Sequence, residues 1–521
     1  MERMRMRQGS WRRRWVAVVT FIAVCSLAAG CAPLTGVVQT SDAPNVVLVL
    51  TDDLDTRLLK EHWENYPNIR SLAEQGTTFE NAFVTDSLCC PSRATILRSQ
   101  YAHNHQIVGN SKPRGGFETF VERGNEDSTV ATWLQDAGYR TVLIGKYLNG
   151  YDTVYVPEGW DDWHGIVGSH LSNDLNDNGR IKLYDTEEYY LDDVLSEKAA
   201  GYIRQSADSD PPFFMWLGTK APHLPATPAP RHEGAFSEEP LPKLPSYNEK
   251  DVSDKPGWVR DNPRLSEEWI SYMDKYQRNR LRTMLTVDEM VGDLVDALEE
   301  SGELSNTYIF FTSDNGYHAG EHRLTTGKWT AYEEDIRVPL IVRGPEVPEG
   351  AKREQLVLNN DLAPTFAEIG GASVPRFVDG RSLEPLLTDN PPSRLNWRSA
   401  FLVEAASELT GPEAPSIGED WVRPTLSGDP WPVDWQERLA EGGVEPQDWG
   451  RPAFEAIRTQ RYLYVEYHNE ERELYDLRKD PFELNNAYDD TDADVLRRLE
   501  DRLAALRGCA GAACPDAEDG H

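Results

Sequence analysis

The sequence predicts an α/β protein: a mostly parallel central sheet flanked by helices, followed by a small C-terminal α+β subdomain. Three observations carry that expectation. Short apolar, β-branched runs alternate with longer stretches of helical periodicity. Polar residues gather directly after two of those runs, as Thr51-Asp52-Asp53 and as Ser313-Asp314-Asn315-Gly316. In sheets of this kind the C-terminal edge of the strands is where sites lie. After about residue 395 the alternation stops and short extended runs follow one another.

The elements follow in order. Asn45 to Leu50, NVVLVL, is continuously apolar and reads as a strand buried on both faces. Pro67 to Gln75 and Ser128 to Ala137 read as helices, and Thr141 to Ile144 as a strand. Leu191 to Gln205 reads as a helix and Pro212 to Leu217 as a strand. A long amphipathic stretch from about Gln277 to Glu300 precedes a strand at Thr307 to Thr312. Ile336 to Val342 is a further expected strand, and Asp361 to Ile369 a helix. Phe401 to Glu404, Ala456 to Thr459 and Arg461 to Tyr467 read as short antiparallel strands, and Asp492 to Leu506 as a terminal helix. Residues 44–394 are thus expected to form the main domain and 395–508 the subdomain, with 509–521 as a tail. Within the subdomain, 410–452 is rich in Pro, Gly, Trp and acids and reads as a loop or insertion, a candidate lid. The hydrophobic fraction of 39% and the 15 tryptophans suffice for a large core and exclude wholesale disorder.

Residues 1–30 read as an export signal. Six arginines precede a short apolar stretch, Trp15 to Gly30, which is too short to span a bilayer comfortably. Leu27-Ala28-Ala29-Gly30-Cys31 resembles a bacterial lipoprotein signal, with Cys31 lipidated after cleavage, although Ala28 replaces the usual aliphatic residue. Arg12 to Arg14 also permit a twin-arginine signal, and an uncleaved anchor is the third option. Each places the body of the protein outside the cytoplasm, as a cell-envelope lipoprotein or a secreted protein, after a linker at 31–43. The formal charge is −34, and loss of six arginines and one glutamate with the signal deepens it by five. Such acidity argues against nucleic acid as a partner. An anionic substrate would need a local cluster of positive charge. Cys509 and Cys514 could pair in an oxidising compartment, which leaves Cys89 and Cys90 without obvious partners.

Asp52 and Asp53 are adjacent carboxylates at a strand end and repel each other unless a cation lies between them. A helix cap plus a solvated acid is the plainer alternative. Asp314-Asn315 ends another strand. Four oxygen ligands without thiolate or imidazole favour Ca²⁺ or Mg²⁺ over zinc. In Cys89-Cys90-Pro91-Ser92-Arg93, Pro91 suits the first turn of a helix running through Arg98. Cys89 then sits at the helix N-terminus, beside Arg93, where an anion is favoured. On the residues alone this suggests a reactive thiolate.

Cys-x-Pro-Ser-Arg is the signature of the type I sulfatases, and the chain resembles that family over roughly residues 44 to 508. LTDDLD at 50–55, GKYLNGY at 145–151, KAPHLP at 220–225, TSDNGYHAGEH at 312–322, GKWTAYEEDIRVPLIVRGP at 327–345 and ELYDLRKDPFELNN at 473–486 look like sulfatase blocks, in family order. The resemblance implies an alkaline-phosphatase-like fold. It implies conversion of Cys89 to formylglycine (3-oxoalanine) by a formylglycine-generating enzyme, Cys90 being a packing residue. It implies a Ca²⁺ ion, ahead of Mg²⁺, on Asp52, Asp53, Asp314 and Asn315, faced by an oxygen of residue 89. Arg93 would hold the aldehyde hydrate, Lys146 and Lys328 would neutralise sulfate oxygens, and His223 would contact sulfate or protonate the leaving oxygen. His103, His105 and His318 are further candidates to line the site.

One position departs from many arylsulfatases, which carry histidine where this chain has Leu148. GKYLN, and CCPSR followed by His103-Asn104-His105, resemble instead the branch of the N-acetylglucosamine-6-sulfatases and extracellular heparan endosulfatases. The implied activity is removal of sulfate from a sulfated carbohydrate, such as 6-O-sulfated N-acetylglucosamine in a glycosaminoglycan, or from an aryl sulfate. A phosphonate or phosphate ester hydrolase of the same superfamily is one alternative. A catalytically silent envelope protein that binds sulfated glycans is another. The membrane enters only through the lipid anchor.

Overall fold

The computed structural model describes residues 43–168, 172–185, 188–206, 211–237, 243–406 and 451–520. The export signal, Cys31 and nearly all of the 31–43 linker lie outside the described residues, as does the 410–452 insertion apart from Arg451 and Pro452.

Ten strands form one sheet. In chain order they are β1 Asn45–Thr51, β2 Thr77–Phe79, β3 Arg140–Gly145, β4 Asp162–Ile166, β5 Leu175–Asp177, β6 Arg180–Lys182, β7 Phe213–Gly218, β8 Thr307–Ser313, β9 Leu340–Arg343 and β10 Ala351–Arg353. Across the sheet the order is β10-β2-β9-β8-β1-β7-β3-β4-β5-β6. The central strands β8, β1, β7, β3 and β4 run parallel. Antiparallel pairs β8–β9 and β9–β2 extend one side, where β10 then joins β2 in parallel. The antiparallel β4-β5-β6 meander finishes the other.

The continuous apolar run of β1 has a direct cause. Val46, Leu48 and Leu50 enter one core and Val47 and Val49 the core on the opposite face. Each such fully buried side chain contributes about 1.5–3 kcal/mol. Helix α1 (Cys89–Arg98) packs on the first face; α2 (Leu191–Ser206) and α3 (Glu267–Glu300) pack on the second. Helix α3 begins well before the expected Gln277. The Ser266 side chain caps it by accepting from Trp269 N–H, and Glu267 and Glu268 complement the dipole in its first turn.

The expected strand Ile336 to Val342 is corrected to Leu340–Arg343. Glu333–Ile336 forms a helical turn, and Pro339, which has no N–H for the ladder, delays the start of pairing. The C-terminal region is an antiparallel meander of β11 Ala400–Ala405, β12 Phe454–Thr459, β13 Tyr462–Tyr467 and β14 Arg472–Asp476, with the Ala493–Leu506 helix beside it. Sequence pattern missed β14. Its Glu473 is fully buried and accepts from the hydroxyls of Tyr332, Tyr467 and Tyr475, and with Arg472 and Asp476 at the ends only Leu474 and Tyr475 are left as an apolar signal.

The last residues fold against this body. Cys509 and Cys514 form a disulfide, and Ala513–Asp519 is a helix whose buried Glu518 accepts from Tyr101 Oη (2.6 Å) and Arg398 Nε (2.7 Å). His103 ties the same segment down. Its Nδ1 lies 2.9 Å from Glu404 Oε1 and its Nε2 2.9 Å from the Cys509 carbonyl. Burial opposes the charged ring, but the Glu404 contact outweighs it and lifts the pKa from 6.5 to about 9. Only the protonated ring donates from both nitrogens. A raised pKa means stability that is fully present below the unfolded value and is lost as pH rises through the folded one. His103→Gln is therefore expected to destabilise most below pH 6.5, with the difference shrinking as pH rises from there and lost once pH passes about 9. Urea unfolding of both proteins across that window checks it.

Candidate active site

Parallel pairing of β1 with β8 puts Thr51 opposite Ser313, so Asp52-Asp53 and Asp314-Asn315 leave the sheet side by side at its C-terminal edge. All four are fully buried. Asp53 N–H donates to Asp314 Oδ1 (3.2 Å), and Asn315 Nδ2 donates to Asp53 Oδ1 (2.7 Å). Asp53 sits at φ +69°, left-handed backbone that non-glycine residues rarely adopt.

Arg280 of α3 supports that conformation. Fully buried, it donates through Nη2 to the Asp53 carbonyl and lies 3.3 Å from Asp55 Oδ2. Sequence reasoning missed it, although an arginine in line with Tyr276, Met284 and Val287 on a buried helical face was a usable signal. Arg280→Met is expected to cost about 3–5 kcal/mol, because Asp55 and the Asp53 carbonyl lose a buried partner. Chemical denaturation measures this.

Cys89 opens α1 beneath the carboxylates. Its Sγ lies 2.9 Å from Lys328 Nζ, 3.4 Å from Asp52 Oδ1 and 4.0 Å from Asp53 Oδ1. Burial pushes the thiol pKa well above its ordinary value, against the pull of Lys146 and Lys328. That burial works against the standing thiolate expected from sequence, while the two lysines work for it. Cys90 points into the core of the first face, its thiol raised by burial to about 12 and its N–H donating to Asn110 Oδ1 (3.0 Å). It packs.

Three cationic side chains converge here. Lys146 follows β3, whose Gly145 pairs with Gly218 of β7. A Cβ on Gly218 would come within 2.4 Å of the Lys146 carbonyl, so glycine lets the two strands close up beneath the lysine. Lys146 Nζ lies 2.5 Å from Asp52 Oδ2, and Lys328 Nζ lies 2.5 Å from Asp53 Oδ1. Arg93 Nε donates to Asp314 Oδ2 (2.7 Å) and its Nη1 to the Lys146 carbonyl (2.9 Å), while Nη2 is buried without a hydrogen-bond partner. Burial alone would raise Asp52, but Lys146 foremost, then His223, Arg93 and Lys328, hold it well below the carboxylate range. Asp314 goes the other way, to about 6, through burial and the neighbouring Asp52.

His223 Nε2 lies 3.6 Å from Asp53 Oδ2, and Nδ1 lies 2.6 Å from the Leu224 carbonyl. Leu148, where histidine was absent from the motif, is part of the hydrophobic core. Of the other candidate histidines, His318 is buried against Asp335, with Nδ1 2.8 Å from Oδ1. His105 Nε2 meets Thr95 Oγ1 at 3.0 Å, and His103 serves the C-terminal contact described above.

The donor set fits a hard divalent cation. Asp53 Oδ2 and Asn315 Oδ1 are buried with no hydrogen-bond partner, and ligand atoms of Asp52, Asp53, Cys89 and His223 lie within 4.8 Å of one another. Oxygen-rich sites of this kind suit Ca²⁺. Carboxylates able to hold a cation, ringed by buried lysine and arginine, make this the candidate centre for chemistry on a negatively charged group.

Comparison with known proteins narrows that class. Residues 44–372 match the family model described as Sulfatase, and 447–508 that described as N-sulphoglucosamine sulphohydrolase, C-terminal. The chain is 35% identical to an N-acetylglucosamine-6-sulfatase of Capra hircus over 509 residues, covering 93% of this chain and 87% of the relative. It is 32% identical to an arylsulfatase of Volvox carteri over 535 residues, covering 95% and 78%. A solved structure in complex with its substrate D-glucosamine-2-N,6-O-disulfate aligns with a TM-score of 0.71 at 26% identity, covering 92% of this chain and 99% of that one. The chain belongs to the sulfatase family and is a sulfuric ester hydrolase with an alkaline-phosphatase-like fold. No helix among the described residues is long and apolar enough to cross a membrane.

Proposed function

We propose that the protein removes sulfate from a sulfated carbohydrate, with 6-O-sulfated N-acetylglucosamine as the favoured unit. The observation that carries the site assignment is the Cys89 side chain held between Lys328 Nζ at 2.9 Å and Asp52 Oδ1 at 3.4 Å. In this reading the Cys89 thiol stands where the hydrate of formylglycine would be, after conversion by a formylglycine-generating enzyme. That group would supply a hydroxyl nucleophile and, in its second hydroxyl, the means to expel sulfate afterwards. Asp52, Asp53, Asp314 and Asn315 would hold Ca²⁺, which supplies charge stabilisation at the sulfate oxygens.

The remaining chemistry belongs to the chain's own side chains. Lys146 and Lys328 exchange their carboxylate contacts for sulfate oxygens, in a buried setting where such contacts are strongest. Arg93 fixes Asp314 and the Lys146 backbone with two of its nitrogens and offers Nη2 to residue 89. His223 donates through Nδ1 to the Leu224 carbonyl, which leaves Nε2 as the atom that takes up and delivers the proton. Burial lowers its pKa, against Asp53 and Asp52, so the proton is readily given up to the leaving oxygen. The protein works outside the cytoplasm, anchored through Cys31 or secreted.

Support for the sugar comes from GKYLN, the CCPSR and His103-Asn104-His105 pair, and the 35% identity to the N-acetylglucosamine-6-sulfatase. The 32% identity to the arylsulfatase favours aryl sulfates as the second reading. Steady-state kcat/KM for N-acetylglucosamine-6-sulfate, its 3-sulfate isomer, an aryl sulfate and an aryl phosphonate tests the order. The 6-sulfate is expected to lead. A lead by the aryl sulfate would replace the sugar assignment, and a lead by the phosphonate the proposed reaction on sulfate.

A further inference from the structure

A second cluster of ligating side chains lies outside the centre just described and shares no residue with it. His322, Glu334 and Glu483 each offer one atom, and these atoms lie within 4.8 Å of one another. His322 Nε2, Glu334 Oε2 and Glu483 Oε1 are each buried and without a hydrogen-bond partner. His322 itself is 0% exposed. Three orphaned polar atoms facing one another in one buried space are unfavourable unless something joins them.

The surroundings are built as for a metal ligand. His322 Nδ1 lies 2.7 Å from Glu249 Oε2, which fixes Nδ1 as the protonated nitrogen and turns the Nε2 lone pair toward the two glutamates. The His322 backbone is held at φ +52°, and its N–H donates to the Ser246 carbonyl (2.8 Å). The other oxygen of Glu483, Oε2, accepts from Glu333 N–H (3.1 Å), which leaves Oε1 free to coordinate.

We infer that His322, Glu334 and Glu483 form a second metal site, for a divalent ion of the zinc class. One imidazole with two carboxylates suits Zn²⁺ better than Ca²⁺, in contrast to the oxygen-rich set at the strand ends. The three ligands come from three separate segments. His322 follows the short His318–Ala319 strand, Glu334 lies in the Glu333–Ile336 turn, and Glu483 lies beyond β14. Lys328 lies in sequence between the first two. The ion would fasten the segment that carries Lys328 to the C-terminal region. This site does not depend on the reaction proposed above.

The test uses the full chain, stripped of metal by a chelator, resupplied with Ca²⁺ and titrated with Zn²⁺ alone by calorimetry. Wild type and an Asp52→Asn/Asp53→Asn variant are both expected to bind one equivalent. His322→Phe should lose it, and Glu249→Gln, which keeps all three ligands, should bind about 10–100-fold more weakly. Cobalt substitution in wild type should give the visible absorption of a low-coordinate N/O site. Absence of Zn²⁺ binding by folded wild type would overturn the inference and leave the two carboxyls sharing a proton. So would binding that survives in His322→Phe and vanishes in the Asp52/Asp53 variant. Should His322→Phe fail to fold, the first two proteins and Glu249→Gln still decide.

Discussion

Cys89→Ser is expected to lower kcat by about 10³-fold or more, while Cys90→Ser keeps most of its turnover. The two thiols are adjacent in sequence and opposite in environment. Cys89 Sγ faces Lys328 and Asp52, and a serine there would not present the thiol on which the proposed converting enzyme acts. It would leave one hydroxyl where the proposed hydrate has two. Cys90 is packed in the apolar core of the first face. Its replacement by serine buries a hydroxyl at a cost of about 1–3 kcal/mol, a loss of stability and not of chemistry. Turnover normalised to folded protein separates the two effects. Equal losses in both variants would reverse the assignment of the thiols.

Lys328→Ala is expected to reduce kcat/KM by about 10²–10³-fold, or roughly 2.7–4 kcal/mol of transition-state stabilisation. Its ammonium is nearly buried and reaches both Asp53 Oδ1, at 2.5 Å, and Cys89 Sγ, at 2.9 Å. Charge that develops on sulfate in such a place is stabilised far more than in water. Lys328→Arg is expected to rescue little, because a planar fork does not replace a compact point charge in a closed space. Exposed Lys250→Ala serves as the control and should leave turnover unchanged. If Lys328→Ala raised KM alone, the lysine would hold substrate without favouring the transition state.

Much of the main sheet was legible because its strands are buried on both faces. β1, β7 and β8 have apolar interiors, and the polar residues that end β1 and β8 mark the edge where Asp52, Asp53, Asp314 and Asn315 meet. The β4-β5-β6 meander was not legible. Asp162, His164, Arg180 and Lys182 break any apolar run, and β6 is exposed along its length. The site shows the same division. Residues at strand ends or inside a short motif could be named in advance. The roles of Arg280 and Asp335 could not, because each acts through a partner outside its own segment: Arg280 on the Asp53 carbonyl, Asp335 on His318. Sequence also could not distinguish a helix turn from a strand at Ile336, where β-branched and apolar residues suit either and Pro339 decides.

The most direct measurement is the mass of the tryptic peptide Ser71 to Arg93 from a preparation active on a sulfate ester. The expected result is a loss of about 18 Da against the cysteine form, localised to residue 89 by fragmentation and reactive with an aldehyde tag. An unmodified thiol at Cys89 throughout an active preparation would contradict it, since the enzyme would then hydrolyse sulfate esters without the group assigned to attack them.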